Sequence, residues 1–356
     1  MNKKTLVIVA AVVVVLAVVL GIVFLGGNDT PAPATEKEYK LGMGVAFGEF
    51  TNAQINGTVA TVVLDDAGKI VVCRVDTFQN KYTAAEEVTF TSLKTKMELG
   101  YDYNMAKYGH SLVGNATVKE WFEQAKAFEA WVVGKTANEV KGMKLQTIES
   151  NGYVIANEAD LLAAGCTISI EEFRDAVVKA CNDAQGTTFK TNDAFTLGVA
   201  IVNGDNGSSV SEEGGYSVKM NIDMAATVVA GGKILATLND AAQPVVVVDA
   251  EGNVTETSVG KGAGIIKTKR ELKEDYKMAA FGQPNVEGGT VKEWYIQSAA
   301  FSNHVVGMTK AQVKGMTTTL VNNHYISTDA DLLAAGCTMQ ITGIMDVVAK
   351  SMDNAR

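Results

Sequence analysis

Asp160-Leu161-Leu162-Ala163-Ala164-Gly165-Cys166-Thr167 recurs letter for letter as Asp331-Leu332-Leu333-Ala334-Ala335-Gly336-Cys337-Thr338, 171 residues further on. An eight-letter identity inside one chain marks a duplication, and the match extends well outside the octet. Thr95-Lys96-Met97-Glu98-Leu99 matches Thr268-Lys269-Arg270-Glu271-Leu272, and Asp102-Tyr103-Asn104-Met105 matches Asp275-Tyr276-Lys277-Met278. Thr117-Val118-Lys119-Glu120-Trp121 matches Thr290-Val291-Lys292-Glu293-Trp294, with Gln124 against Gln297 and Gly134 against Gly307. Upstream, Gly68-Lys69-Ile70 pairs with Gly232-Lys233-Ile234. The period is too long for a solenoid, whose units run about 20–50 residues. Two globular copies are expected, at 39–190 and 191–356.

Each copy reads the same way. Val, Ile and Thr crowd Thr58 to Leu64 and Ile70 to Val75, joined by Asp65-Asp66-Ala67-Gly68, which is the pattern of a strand–turn–strand hairpin. The second copy has Ala225 to Val229 and Ile234 to Leu238 around Gly231-Gly232, then a further run from Val245 to Asp249. Helices follow. Thr117-x-x-Glu120, Thr290-x-x-Glu293, Thr136-x-x-Glu139, Thr309-x-x-Gln312 and Ser169-x-x-Glu172 all have capping-box spacing, in which two residues satisfy each other's free backbone N–H. Trp121, Phe122, Ala125, Phe128 and Val132 fall at helical spacing, and Gly134 marks the end. The expected class is α+β: two tandem copies of an antiparallel sheet packed by helices, after one N-terminal transmembrane helix.

The N-terminus speaks to location. Lys3 and Lys4 precede an apolar run from Leu6 to Leu25, and about 20 apolar residues cross a bilayer as a helix. Lysines before the run and none just after it place the N-terminus inside and the body outside. A cleaved signal peptide is the alternative, although its apolar core usually holds about 7–15 residues. A signal anchor at 1–26 and a polar linker at 27–38 with Pro31 and Pro33 are expected, with the body extracytoplasmic. The net charge of −9 argues against a nucleic-acid partner, which calls for a basic face.

Cys166 and Cys337 share one octet position, whereas Cys73 and Cys181 occur only in the first copy. Their joint absence from the second copy fits either a Cys73–Cys181 disulfide, permitted outside the membrane, or two small buried residues. His110, His304 and His324 show neither ligand spacing nor alignment between copies, so neither a zinc site nor a shared histidine catalyst is expected. Nothing resembles a nucleophile elbow.

The octet places a glycine turn and a threonine hydroxyl ahead of a helix, an arrangement suited to phosphate. It resembles the FMN-binding domain of the respiratory sodium-pump and Rnf flavoprotein subunits, which carry Asp, then Ser or Thr, Gly, Ala and Thr before a helix. The resemblance implies FMN held at Asp160, Gly165 and Thr167 and again at Asp331, Gly336 and Thr338, covalently through the Thr167 and Thr338 hydroxyls. The family's Ser/Thr is Ala164 and Ala335 here, and its Ala is Cys166 and Cys337. Tyr103 and Tyr276 are candidates to line a slot for the flavin ring.

Two functions are therefore expected in competition. One is a membrane-anchored, extracytoplasmic FMN-binding-like electron carrier with redox partners, a carrier rather than a catalyst. The other is a cofactor-free cell-surface interaction or structural protein with duplicated domains. Under that second reading the octet is a packing element in which Asp160 and Thr167 brace a turn.

Overall fold

The computed structural model describes residues 35–109, 113, 117–184, 186–259, 264–287 and 289–356. The expected anchor, most of the linker and His110 lie outside them. Among the described residues no helix is long and apolar enough to cross a membrane.

The first copy runs β1 (Lys37–Phe50), β2 (Gln54–Leu64), β3 (Ile70–Ala84), β4 (Val88–Ser92), α1 (Lys96–Leu99), α2 (Met105–Tyr108), α3 (Trp121–Val132), α4 (Ala137–Lys141), β5 (Leu145–Thr147), β6 (Val154–Ala156), α5 (Ala159–Ala163), α6 (Glu171–Asp183) and β7 (Thr188–Thr191). The second runs β8 (Thr196–Asp205), β9 (Ser209–Val210), β10 (Tyr216–Ala230), β11 (Lys233–Ala242), β12 (Pro244–Val248), β13 (Val254–Val259), α7 (Lys269–Leu272), α8 (Met278–Phe281), α9 (Trp294–His304), α10 (Lys310–Lys314), β14 (Thr318–Val321), β15 (His324–Ser327), α11 (Ala330–Ala334) and α12 (Thr342–Asp353). The fold is α+β, with antiparallel sheets packed by helices.

The first sheet has the order β4-β3-β2-β1-β7. In the second, β10 lies between β8 and β11 over one half and pairs with β12 over the other, with β13 outside β12. The long β3 of one copy is thus split in the other at Gln243-Pro244. A proline cannot donate to a ladder, so it opens a strand rather than continuing one. The hairpin bulge is kept: it falls at Val63/Leu64 in one copy and Val228/Val229 in the other.

Period-two alternation decides what each strand buries. Leu41, Met43 and Val45 of β1 join Leu197, Val199 and Ile201 of β8 and Met220, Ile222 and Met224 of β10 in one apolar cluster between the two sheets. The opposite faces carry the helices. Ala60, Val62 and Val75 meet Trp121, Phe128 and Val177 in one cluster, and Ala225, Ile234 and Ala241 meet Trp294, Phe301 and Val348 in its counterpart. The layers run helix, sheet, sheet, helix, and Lys37–Arg356 forms one compact unit. Close approach of the final helices requires glycine on the strands. A Cβ on Gly42 would lie 2.0 Å from the Ala180 carbonyl oxygen, and one on Gly198 would lie 1.8 Å from that of Ser351.

Several local expectations need correcting. The boxes at Thr136/Glu139 and Thr309/Gln312 form. Those at Thr117 and Thr290 do not. Helix α3 begins one residue after Glu120, which forms the box with Glu123, and the Glu120 carboxylate also accepts from the Met105 and Ala106 amides, as that of Glu293 does from Met278 and Ala279. Ser169 caps nothing, because Ile170 is the residue before α6 and makes no side-chain cap. Strands β1 and β8 were not expected; Gly42, Gly44 and Gly48 in β1 masked its period. Cys73 and Cys181 are free, buried thiols in one apolar cluster, so the disulfide reading is set aside.

Candidate functional site

The octet is a helix end. The Gly165 amide donates to the Leu162 carbonyl and the Cys166 amide to the Leu161 carbonyl, with Gly165 at φ +84°. That is a Schellman termination, with Leu161 and Cys166 as its apolar contact. The second copy repeats it at Gly336 and Cys337. Burial raises the Cys166 and Cys337 thiols to about 12, so they stay neutral packing groups.

Lys119 of the matched block, together with Gln124, holds this turn. Lys119 Nζ donates to the Ala164 carbonyl at 2.9 Å, and its stem lies over Gly165, where a Cβ would come within 2.7 Å of it. The Gln124 carboxamide oxygen accepts from the Thr167 amide at 2.8 Å, and its nitrogen donates to the Lys119 carbonyl at 2.8 Å. Lys292, Ala335, Gln297 and Thr338 reproduce the pattern. Thr167 is 5 % exposed, and its hydroxyl also reaches Gln124. Asp160 and Asp331 lie exposed on the first turns of α5 and α11. Helix α6 begins only at Glu171, and its first turn carries Glu171 and Glu172, two charges that oppose a phosphate.

The tyrosines lead elsewhere. Tyr103 lines a cavity of about 530 Å³ between the outer face of the first sheet, α3 and the start of α6. Tyr276 lines its counterpart of about 460 Å³ in the second copy. Both volumes fall in the range of small-molecule sites. Thr167 is on the wall of the first cavity but Thr338 is not on the wall of the second.

The two cavities share a built set of residues. Lys96 Nζ sits 5.0 Å from the Tyr103 ring centre and 5.7 Å from that of Trp121; Lys269 Nζ sits 5.0 Å from Tyr276 and 5.5 Å from Trp294. Each ammonium therefore rests on two aromatic faces. The Tyr103 hydroxyl donates to Gln79 at 3.3 Å, and that of Tyr276 to Gln243 at 3.0 Å. Lys269 is only 8 % exposed, and its Nζ donates no hydrogen bond among the described residues.

A carboxylate faces each lysine, but from opposite walls. In the first cavity it is Glu172, on α6, which accepts from the Thr58 hydroxyl on β2 at 3.1 Å. In the second it is Asp223, on β10, which accepts from Asn221 at 2.9 Å. Thr58 and Asp223 hold equivalent strand positions, and Glu172 and Gly343 equivalent helix positions. A Cβ on Gly343 would stand 2.8 Å from an Asp223 carboxylate oxygen, so the strand carboxylate needs the helix glycine. Burial raises both carboxyls, partly offset by the Thr58 hydroxyl and Lys96 at Glu172 and by Lys269 and Asn221 at Asp223. Neither lysine has a carboxylate within 4.0 Å among the described residues.

A third cleft of about 360 Å³ contains Lys179, Glu271, Arg270 and Asp183. These charges are paired with each other, at 3.0 Å for Lys179–Glu271 and for Arg270–Asp183, so they have no need of a ligand.

Sequence reading marked Tyr103 and Tyr276 and quoted Lys96 and Lys269 within matched blocks without assigning them a role. It missed Gln79, Gln243 and Asp223, and it gave Glu172 only a capping role beside Ser169. The two glutamines were legible as a match at equal distance from the hairpin; the carboxylates were not, since they do not align. Compared with known proteins, the chain matches no family model, no curated protein and no solved structure.

Proposed function

We propose that the chain is a membrane-anchored, extracytoplasmic binding protein that holds a small polar ligand in each of two equivalent cavities. The observation that carries this reading is the retained carboxylate. One copy carries it on the helix and the other on the strand, so a carboxylate faces the lysine in both cavities although different positions provide it. Aromatic faces, a buried cation and carboxamides converging on one cavity are the usual furniture of a ligand site. The apolar run from Leu6 to Leu25 behind Lys3 and Lys4 supports the anchor and the outward-facing body.

The test is thermal unfolding of the full chain in detergent against a panel of amino acids, hexoses and FMN, with Lys96→Met/Lys269→Met as control. At least one compound should raise the Tm of the wild type and leave the double variant unmoved. A panel that moves neither contradicts the reading.

A second reading, an FMN-binding-like electron carrier, is favoured by Thr167 and Tyr103 sharing one cavity wall. FMN would then be esterified at Thr167 and Thr338, next to Gly165 and Gly336. Co-expression with a flavin transferase should give FMN-sized mass additions that vanish in Thr167→Ala and Thr338→Ala. An unmodified mass rejects it.

A further inference from the structure

We infer that each cavity binds a free α-amino acid as its zwitterion, the ligand carboxylate on the caged lysine and the ligand ammonium on the facing carboxylate. The inference rests on the binding-protein reading and adds a specific chemistry to it.

Three observations carry it. First, Lys269 is buried and its three N–H donors find no oxygen among the described residues. An ammonium on two ring faces is stabilised, but its N–H groups still require acceptors. A carboxylate entering from the cavity supplies them. Second, Glu172 and Asp223 each stand across the cavity from a lysine without closing on it. The ammonium and carboxylate are thus held apart, each with a face toward the same space. A ligand with opposite charges a few ångströms apart completes both pairs, whereas a simple anion or a simple cation completes one and crowds the other. Third, both copies set a carboxylate opposite the lysine although different walls supply it. A site for an anion alone would be opposed by the facing carboxylate, and a site for a cation alone by the facing lysine.

The remaining groups fit the same ligand. Gln243 accepts from the Tyr276 hydroxyl, leaving its amide nitrogen for a backbone-like group of the ligand, whereas Gln79 accepts from Tyr103 and donates to Gln54. The cavities differ where the ligand side chain would point: Tyr108 and Tyr153 line the first, and His324 and Gln340 the second. The two sites should therefore prefer different side chains while sharing the recognition of the α-carbon substituents.

Isothermal titration calorimetry of the full chain in detergent, with each L-α-amino acid in turn, tests this. At least one should bind saturably. Its decarboxylated amine and its deaminated acid should each bind at least about tenfold more weakly, since each forfeits one charge-assisted contact. Lys96→Met and Glu172→Gln should remove binding at the first site only, and Lys269→Met and Asp223→Asn at the second only, with the other site titrating as before. That intact second site shows that the variant is folded. The inference is overturned if no amino acid binds, if either single-charge analogue binds as well as the parent, or if the lysine variants keep both sites. Should glucose or FMN saturate both cavities while amino acids do not, the zwitterion falls and the binding-protein reading stands. Should nothing in the panel bind, both fall.

Discussion

Lys350, on the last helix of the second copy, places its Nζ 2.8 Å from the Glu98 carboxylate of the first. Lys179, at the matching position of the first copy, lies 3.0 Å from Glu271 of the second. Each lysine also donates to a strand carbonyl of its own copy, Lys350 to Ile201 and Lys179 to Val45. The two copies thus contact each other as subunits of a symmetric dimer do, residue i to j and j to i. One chain contains a fused pseudo-dimer whose sheets share the central core.

The Lys350–Glu98 pair should leave a signature in acid. Burial raises the Glu98 carboxyl, but the Lys350 ammonium and the Thr95 amide and hydroxyl outweigh it and hold the group below its ordinary 4.5. A lowered carboxyl contributes stability that is present above the ordinary value and lost as pH falls through the folded one. Urea unfolding at pH 6 and pH 3 should show Glu98→Gln losing less stability on acidification than the wild type. At neutral pH the substitution should cost about 0.5–1 kcal/mol, as for a half-exposed pair.

Asp76 and Asp240 should act in the opposite direction. Asp76 accepts from the Thr77 and Met97 amides, and Asp240 from the Ala241 and Arg270 amides, tying each sheet to the turn that carries the caged lysine. Burial raises both carboxyls to about 6. A raised carboxyl binds its proton more tightly when folded, so stability falls as pH rises from about 4 to about 6. Asp76→Asn should flatten that fall. Asp76→Ala should cost about 2–3 kcal/mol in urea titrations, because two buried amides lose their acceptor.

Gly42→Ala and Gly198→Ala should each destabilise by about 3 kcal/mol or prevent folding, since the added methyl has a carbonyl oxygen in its place. Chemical unfolding measures it. Gly68→Ala has open space but a positive φ, so it should cost only about 1 kcal/mol.

The wall exchange can be reproduced by design. Glu172→Gly should empty the first cavity of ligand. Adding Thr58→Asp, which recreates the arrangement of the second cavity, should restore it. Calorimetric stoichiometry reads the outcome, two sites falling to one and returning to two.

Much of this was legible in the sequence because duplication exposed it. The hairpins and the Thr136 and Thr309 caps follow from local chemistry that needs no partner. Strand β1 was not legible, because its glycines are dictated by the backbone of α6 far along the chain. The octet was legible as a fixed point but not as a helix end, since the Lys119 and Gln124 contacts that hold it come from about 40 residues upstream. The facing carboxylates were hidden for the reason that makes them informative: Glu172 and Asp223 converge in space and not in alignment.

The central claim is that two equivalent cavities hold one ligand each through a caged lysine. Native mass spectrometry of the full chain released from detergent, with the amino acid that gives the largest calorimetric response, tests it most directly. At a concentration that fills both sites, the account predicts two bound ligands for the wild type, one for Lys96→Met, one for Lys269→Met and none for the double variant. A ligand count left unchanged by both substitutions would contradict it.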